Sequence, residues 1–387
     1  MQHLPEVLKI LDSALRHDPG RAKEYALLLA EKLEREALGR QAQALRRTLS
    51  RAPAVGVVPA WSEGALPRDS ESQLSMVDVV QTDGPGPQLV LHPFVSQQVE
   101  EFIQAIESRS LLLENGIELA SRLLLCGAPG TGKTQLAHSI AHRLGLPLVV
   151  VRSDALVSSL LGQTSRNLRQ VFEFADRRPC VVLLDEFDAF AKRRDDTQEV
   201  GELQRVVVAL LQNLDAFDSS NVLIAATNHP ELMDRAIGRR FTTRIDIPLP
   251  TELQRREIWR LRLGRQAPSE VELGILAGAT AGLTGATIEL AATDARRFTV
   301  TAGREIATAP LVLRRVARLL WYDKPWVFES TESEIRELRS WMPSVFTYRA
   351  LAEAFETTTR QVGNVLRRGN AAGGRSGADL AGQDPPG

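Results

Sequence analysis

Cysteine is scarce in this chain of 387 residues, which contains only Cys126 and Cys180. Cys126 ends one apolar run and Cys180 begins another, as buried strand residues do. A cysteine in that setting usually acts as a small apolar side chain. The sequence therefore predicts neither a disulfide framework nor a zinc site.

The chain also lacks an excess of charge and a long apolar run. Its formal net charge is -1, which gives no overall attraction to nucleic acid or membrane and leaves local patches open. No segment approaches the roughly 20 apolar residues of a membrane-spanning helix. Residues 1–19 carry charges throughout and contain no signal-peptide core. We expect no membrane partner and a cytoplasmic location.

The most informative motif is GAPGTGKT, which begins at Gly127 and ends at Thr134. Its glycines allow successive backbone N–H groups to point at one anion, which forms a nest for phosphate oxygens. Lys133 adds a charge at the β- and γ-phosphates, and the Thr134 hydroxyl can bind Mg²⁺. A predicted strand precedes the loop and an amphipathic helix follows it, so the helix dipole also favours an anion.

The region around this loop alternates between strands and helices. Apolar, β-branched runs occupy residues 122–126, 147–152, 180–184, 222–226 and 244–247. Helical patterns separate them, which indicates a parallel sheet with helices on both faces. The predicted fold is α/β, a P-loop NTPase sheet followed by a small helical lid, with extra helical modules at both ends. At the start of the lid, Thr251 and Gln254 have the spacing of a capping box.

Polar residues follow two of the apolar strands. Asp185 and Glu186 come directly after Val181–Leu184. An acid at this place holds Mg²⁺, usually through water, and a second acid can deprotonate an attacking water. The alternative is a pair of solvated loop acids. Asn228 ends the next run, where an amide can bind both the γ-phosphate and the water, although asparagine also favours turns.

Two adjacent arginines, Arg239 and Arg240, follow shortly afterwards. Such a pair is usually a solvated face. In a protein that transfers phosphoryl groups, an arginine can also neutralise the charge of the transition state.

Together these elements resemble the AAA+ ATPases, over roughly residues 88–320. Within them, the chain is similar to the clade of proteasomal ATPases, metalloprotease motors and vesicle-fusion ATPases. The motifs that carry the resemblance are LLCGAPGTGKT (Walker A), VVLLDEFDAF (Walker B), AATNHPELMD (sensor 1), LQNLDAF (the inter-subunit signalling motif, with Ala216 where the family usually has glycine) and GLTGAT (the start of the sensor 2 helix).

The resemblance implies ATP and Mg²⁺ as ligands and ATP hydrolysis as the activity. It assigns nucleotide binding to Gly127, Ala128, Pro129, Gly130, Thr131, Gly132, Lys133, Thr134, Leu136, Gly285 and Ala286. Thr134 and Asp185 are the expected metal residues. Glu186, Asn228, Arg239 and Arg240 are the expected catalytic residues. The family also implies an ATP-promoted homo-hexamer, in which the arginines complete the neighbour's site.

Two departures from the family pattern bear on mechanism. The arginine segment usually reads L-R-P-G-R-F, whereas this chain has the shorter GRRF, so either arginine could take the leading role. The first pore loop usually has an aromatic residue, a hydrophobic residue and glycine, and Leu160 begins that stretch here. A leucine grips an extended polypeptide more weakly. Protein remodelling is therefore the expected function, and any proteolysis is expected to need a separate protease, since no protease motif is present.

The expected domain organisation has six parts. They are an N-terminal helical module (1–50), a linker (51–87), the nucleotide-binding domain (88–250), the lid (251–325), a C-terminal helical module (326–368) and a disordered tail (369–387). The N-terminal helices could recruit a protein substrate or adaptor, or could serve packing and oligomerisation.

The C-terminal module is open to a second interpretation. Residues 347–368 have the pattern of a helix-turn-helix, with four basic and two acidic residues. Thr359, Arg360, Gln361 and Asn364 would lie on its second helix, with Arg367 and Arg368 at the end. Such side chains read bases and hold phosphates. The alternative function is thus a DNA-associated ATPase switch, and the simpler alternative is a helical hairpin that packs on the ring or on a partner.

Overall fold

A computed structural model describes residues 66–69, 73–82, 84–153, 161–177, 179–188, 200–217 and 221–373, together with Ala26, Leu29 and Leu33. These residues fall into two compact units. The first extends to Ile247, and the second begins at Pro248 and also takes in Val90–His92 and Pro129–Gly132.

The first unit contains a six-stranded sheet. Its strands are β1 (Val77–Val80), β2 (Arg122–Cys126), β3 (Leu148–Val151), β4 (Val181–Leu184), β5 (Val222–Thr227) and β6 (Thr243–Asp246). Their order is β1-β3-β4-β5-β2-β6, in which β2 to β6 run parallel to one another and β1 is antiparallel to β3. The mostly parallel α/β sheet predicted from the apolar runs is confirmed. Because parallel strands share one carboxyl edge, the segments after β2, β4 and β5 meet there.

The first unit also contains helices. They are α1 (Pro93–Glu107), α2 (Arg109–Glu114), α3 (Lys133–Leu144), α4 (Leu161–Ala175), α5 (Val200–Ala216) and α6 (Arg235–Gly238). All residues of β4 and β5 are buried. Alternate strand residues such as Val182 and Leu184 join one hydrophobic cluster with side chains of α4 and α5. Strands buried on both faces explain why the sequence runs are almost continuously apolar.

Strand β1 lies inside the segment 51–87, whose composition predicts a linker. It pairs antiparallel with β3, with Val77 opposite Val151 and Val80 opposite Leu148. Met76 and Val77 are fully buried. Four residues of alternating exposure at a sheet edge leave a weak sequence signal, and the tertiary pairing with β3 supplies what local propensity does not.

The second unit is helical. It contains α7 (Glu252–Leu263), α8 (Glu270–Ala279), α9 (Gly285–Thr301), α10 (Ala309–Leu320), α11 (Thr331–Trp341), α12 (Tyr348–Ala354) and α13 (Thr359–Gly373). The predicted capping box opens α7, where the Thr251 hydroxyl accepts from the Gln254 N–H and the Gln254 side chain accepts from the Thr251 N–H.

One hydrophobic core runs through the whole second unit. Trp259 of α7 and Leu313 of α10 belong to the same cluster as Leu338, Leu351 and Val362, which lie on α11, α12 and α13. The predicted lid and the predicted C-terminal module therefore share one core.

At the N-terminus, Ala26, Leu29 and Leu33 are helical and buried. Their spacing places them on one helical stripe. The other residues of the predicted N-terminal module, Leu160 of the predicted pore loop and residues 374–387 lie outside the described residues. Among the helices that the structure does describe, none combines the length and the apolarity needed to cross a membrane.

Candidate functional site

The phosphate loop connects the end of β2 to the start of α3. Gly130 and Gly132 have φ angles of +78° and +97°, in the left-handed region that glycine adopts at little cost. A Cβ on Gly130 would also lie 2.7 Å from the Thr284 hydroxyl oxygen. The positive φ angle and the lack of room for a Cβ atom therefore both require glycine at position 130.

Lys133 is buried at the start of α3, with 7% of its surface exposed. Its ammonium group donates to the carbonyl oxygens of Gly127 at 2.8 Å and Ala128 at 3.0 Å. It also donates to Oδ1 of Asn228 at 2.6 Å. Burial lowers the pKa of Lys133, and the charges of Asp185 and Asp188 act against that shift. The structure thus brings together the lysine and the asparagine that were predicted from separate motifs.

The two predicted metal residues are in direct contact. The Thr134 hydroxyl donates to Oδ2 of Asp185 at 2.6 Å. Thr134 begins α3 and Asp185 follows β4, so the parallel sheet brings them to the same edge. A hydroxyl and a carboxylate are oxygen donors of the kind that Mg²⁺ prefers, and the pair fits that ion.

Glu186 is exposed and has a φ of +50°. Its backbone N–H donates to Oδ1 of Asp185 at 2.9 Å. A non-glycine residue in this region is strained, and such strain clusters at functional sites. The conformation belongs to the turn that follows β4, in which the Asp185 carboxylate accepts from the N–H of the next residue.

Asp188 is a site residue that the sequence interpretation missed. Its Oδ1 accepts from the Thr227 hydroxyl at 3.0 Å and from the Asn228 N–H at 3.3 Å. The Thr227 hydroxyl in turn accepts from the His229 N–H at 3.0 Å. Asp188 thus fixes the backbone that carries the Asn228 amide. Asp188 ends the acidic segment DEFD, which follows β4. Nothing in the sequence pattern connects it to the end of the next strand.

The two arginines differ in their surroundings. Arg240 donates from Nε and Nη2 to the two carboxylate oxygens of Asp215, both at 3.1 Å. A third hydrogen bond, from Nη1, reaches the Ala236 carbonyl at 3.1 Å. This pairing raises the pKa of Arg240 and lowers the pKa of Asp215. The Arg239 side chain is exposed, and its guanidinium makes no hydrogen bond or ion pair within the described part of the chain.

Residues 123–249 match the family model described as ATPase family associated with various cellular activities (AAA). The chain contains an AAA ATPase domain. The recognition made from the motifs is therefore confirmed.

Curated relatives carry related descriptions. An uncharacterized AAA family ATPase of Sinorhizobium fredii is 49% identical over 143 residues, which are 37% of this chain and 42% of that protein. A proteasome-activating nucleotidase of Methanothermobacter thermautotrophicus is 34% identical over 242 residues, 59% of each chain. A 26S proteasome regulatory subunit S10B homolog B of Arabidopsis thaliana is 32% identical over 237 residues, 58% of this chain and 59% of that protein. The matched region thus spans between two fifths and three fifths of these relatives.

The predicted lid residues of the AAA domain lie beside the loop tip in the second unit. The Ala286 N–H donates to the Gly130 carbonyl at 3.1 Å. Gly285 begins α9, and a Cβ there would lie 3.7 Å from the same carbonyl oxygen. The Thr284 side chain caps α9 by accepting from the Thr287 N–H. Gly285 and Ala286 therefore lie next to Gly130, and their place against the nucleotide remains a prediction.

The remaining predicted binding residues differ in their exposure to solvent. Ala128 and Pro129 are exposed, Thr131 is half-buried and Leu136 is 1% exposed. Leu136 lies in α3 and faces the core, so its contribution to binding would be to hold the helix start that carries Lys133 and Thr134.

The two cysteines are buried and free. Burial raises the pKa of the Cys126 thiol to about 11 and that of Cys180 to about 12. Thiols with such values are unreactive at neutral pH. Among the described residues, no group of three His, Cys, Asp or Glu side chains is placed to hold a metal ion.

Proposed function

We propose that this chain binds ATP with Mg²⁺ and hydrolyses it to ADP and phosphate. The observation that carries the proposal is the convergence of Lys133, Thr134, Asp185, Glu186 and Asn228 at one sheet edge. The family match and the names of the curated relatives also support it.

Lys133 and the loop would bind the phosphates. The ammonium group now has three oxygen acceptors, and phosphate oxygens would replace at least one of them as charge-assisted partners. The buried setting strengthens that contact relative to water. Mg²⁺, held by Thr134 and directly or through water by Asp185, would neutralise charge on the β- and γ-phosphates.

Glu186 and Asn228 would act on the attacking water. The exposed carboxylate of Glu186 can accept the water's proton, and the Asn228 amide can orient the water and the γ-phosphate. Asp188 holds the Asn228 backbone in place, which makes it a positioning residue. Lys133 would exchange its hydrogen bond to Asn228 Oδ1 for one to phosphate, which frees that amide oxygen for the water.

We further propose an ATP-promoted homo-hexamer. Arg239 is exposed and its guanidinium is free of partners among the described residues, so it can reach a neighbouring subunit's site and neutralise the charge of the transition state. Arg240 would support it from its pair with Asp215. This division assigns the leading role between the two arginines.

The ring would remodel or unfold protein substrates, in some settings for a separate protease. Two of the curated relatives are named as proteasome-activating or proteasome-regulatory, which supports this role. The substrate or adaptor would bind through the N-terminal helices and the pore loop around Leu160.

Two free buried thiols suit a reducing compartment, so we propose a cytoplasmic location.

ATP turnover and substrate stimulation test the proposal. Wild type should release phosphate from ATP, and an unfolded protein should raise the rate. Glu186→Gln should retain ATP binding and lose turnover, whereas Glu173→Gln, an exposed glutamate on α4 paired with Arg169, should leave turnover unchanged. Normal turnover by Glu186→Gln would refute the catalytic assignment.

Assembly needs its own measurement. Light scattering after size exclusion should give six-subunit particles for Glu186→Gln in ATP and smaller species without nucleotide. Monomers in both conditions would refute the hexamer.

A DNA-associated switch is the second candidate function, and ATPase stimulation by duplex DNA but not by unfolded protein would favour it.

A further inference from the structure

Helices α12 and α13 are joined by a short turn with defined capping at both helix starts. The Thr347 side chain accepts from the Ala350 N–H at the start of α12. At α13 the Gln361 N–H donates to the Thr358 hydroxyl at 3.2 Å, and the Thr358 N–H donates to Gln361 Oε1 at 3.1 Å. Glu356, within the turn, has a φ of +52°. A tight turn of this kind between two short helices is the pattern of a helix-turn-helix.

The helix pair is fixed to the rest of the second unit. The Arg314 guanidinium lies 3.7 Å above the Phe355 ring and donates to the Ala354 carbonyl at 2.7 Å. It also forms a bidentate salt bridge with Glu334 of α11. Leu351 and Val362 are fully buried. The outer face of α13 is therefore presented by a rigid support, as recognition of a fixed surface requires.

That outer face is polar. At 100° per residue, Arg360, Asn364 and Arg367 fall within about 60° of one another on α13, and the buried Val362 and partly buried Leu366 fall on the other side. All three polar side chains are exposed. Arg367 donates to Asn364 Oδ1 at 3.1 Å. The described exposed residues of α13 include no large apolar side chain, which disfavours a protein partner at this face.

The charged side chains of α11, α12, α13 and the turn that contains Glu356 are unevenly paired. Most of their carboxylates are paired with basic side chains, namely Glu332 with Arg336, Glu334 with Arg314, Glu337 with Lys324 and Glu356 with Arg304. Arg349, Arg360 and Arg368 make no ion pair with any residue that the structure describes. Glu353 is an exposed carboxylate of α12 that makes no ion pair among the described residues. The unneutralised charge of α11, α12 and α13 is thus positive, although the whole chain has a net charge of -1.

We propose that α13 binds duplex DNA in the major groove. Arg360 and Asn364, in the first half of the helix, would meet base edges, where arginine pairs with guanine and asparagine with adenine. Arg349 on α12, and Arg367 and Arg368 further along α13, would bind phosphates on either side. The Gln361 side-chain oxygen accepts from the Thr358 N–H and from the Thr357 and Thr358 hydroxyls, whereas Asn364 Oδ1 accepts from Arg367. Gln361 therefore contributes to the fold of the motif rather than to base reading. This inference does not depend on ATP hydrolysis.

Fluorescence anisotropy of a labelled 30-base-pair duplex of mixed sequence tests the proposal with the full chain, without nucleotide, over a salt series. Three phosphate contacts, from Arg349, Arg367 and Arg368, predict a slope of log affinity against log salt of about -2.7. Arg360→Glu should weaken binding about tenfold or more, because it removes the guanine contact. The control is Arg265→Glu, which changes the net charge equally at another exposed position of the same unit that makes no ion pair with a described residue, and it should change affinity less than about twofold.

A second variant separates base reading from charge. Asn364→Ala should leave the salt slope unchanged and reduce the enrichment of any preferred sequence selected from a pool of random duplexes. Both variants should keep the wild-type thermal transition, because the substituted side chains are exposed.

Three results would overturn the proposal. They are no binding at micromolar protein in low salt, an equal loss of affinity in Arg360→Glu and Arg265→Glu, and equal affinity for single-stranded and duplex DNA of the same length. Loss of ATPase activity in Arg360→Glu without any DNA binding would assign the face to a protein contact instead. Glu186→Gln should bind DNA as wild type does, so a failure of the ATPase proposal and a failure of this one can be told apart.

Discussion

Arg240 is bound through two hydrogen bonds to Asp215, whereas the adjacent Arg239 extends into solvent. Asp215 lies near the end of α5, in the segment LQNLDAF, and Arg240 follows α6. The pair therefore ties together two segments that the sequence interpretation connected with communication between subunits. Nε and Nη2 of Arg240 donate to the Asp215 carboxylate, and Nη1 donates to the Ala236 carbonyl. The guanidinium is therefore fully hydrogen-bonded within its own subunit.

Arg239→Ala should abolish most ATP turnover and leave ATP binding intact. An arginine that acts in the transition state contributes about 10³-fold or more to the rate. Arg240→Ala should lower turnover less and should weaken assembly, because it leaves Asp215 unpaired. Steady-state phosphate release, nucleotide titration and light scattering separate the two outcomes.

Mixing of inactive variants tests whether Arg239 acts on a neighbour. Arg239→Ala and Glu186→Gln should each be inactive alone, and a mixture should regain activity at interfaces that combine an intact Glu186 with an intact Arg239. In a random equal mixture about one quarter of the interfaces qualify. A mixture as inactive as its components would mean that Arg239 does not act in trans.

Asp188→Asn should reduce kcat about 10- to 100-fold with little change in ATP affinity. The substitution weakens the acceptor that holds the Thr227 hydroxyl and the Asn228 N–H, so the Asn228 amide loses its fixed orientation. Asn228→Ala should give a similar loss. The double variant should lose hardly more than either single one, because both act through the same amide. Additive losses would show that Asp188 acts by another route.

Gly130→Ala should weaken ATP binding strongly. The new methyl group would lie 2.7 Å from the Thr284 hydroxyl oxygen and 3.0 Å from the Ala286 Cβ, at a residue whose φ is +78°. Gly274→Ala is the matched control, since a Cβ at that position in α8 meets no atom within 4 Å. The control should bind ATP normally and gain about 0.5–1 kcal/mol in free energy of unfolding. Equal ATP affinity in the two variants would contradict the prediction.

Glu334→Gln should destabilise the second unit at neutral pH, and the effect should fade in acid. Burial acts to raise the Glu334 pKa, but the hydrogen bonds and charge of Arg314, helped by Arg318, outweigh it and hold the pKa below its usual range. The carboxylate therefore stabilises the fold fully above the unfolded-state pKa of about 4.3, and this contribution is lost as pH falls through the lower folded-state pKa.

The expected size of this loss at pH 7 is about 3 kcal/mol, as for removal of one partner from a buried pair. Glu332→Gln, on the same helix but exposed and paired with Arg336, should cost less than about 1 kcal/mol. Urea unfolding at pH 7 and pH 3.5 measures both variants. A Glu334→Gln loss that stays constant between these pH values would refute the assigned linkage.

The sequence predicted most of the sheet and the core of the site because both have strong local signals. The apolar runs of β2 to β5 are largely buried on both faces, and the spacing from Gly127 to Thr134 admits few other structures. Strand β1 escaped prediction because its pairing with β3 is a long-range contact. Asp188 escaped because its role depends on two hydrogen bonds across neighbouring strands, and the difference between Arg239 and Arg240 depends on where Asp215 lies in space.

The single hydrophobic core of the second unit has a consequence for how this chain can change over evolutionary time. Leu351 and Val362, on the last two helices, are packed together with Trp259 and Leu313 of the lid. A mutation that stopped translation before Tyr348 would remove more than a terminal surface, since it would open the core into which α9, the helix that carries Ala286, packs. The terminal helices would therefore be needed for a working nucleotide site as well, whatever their outer face binds.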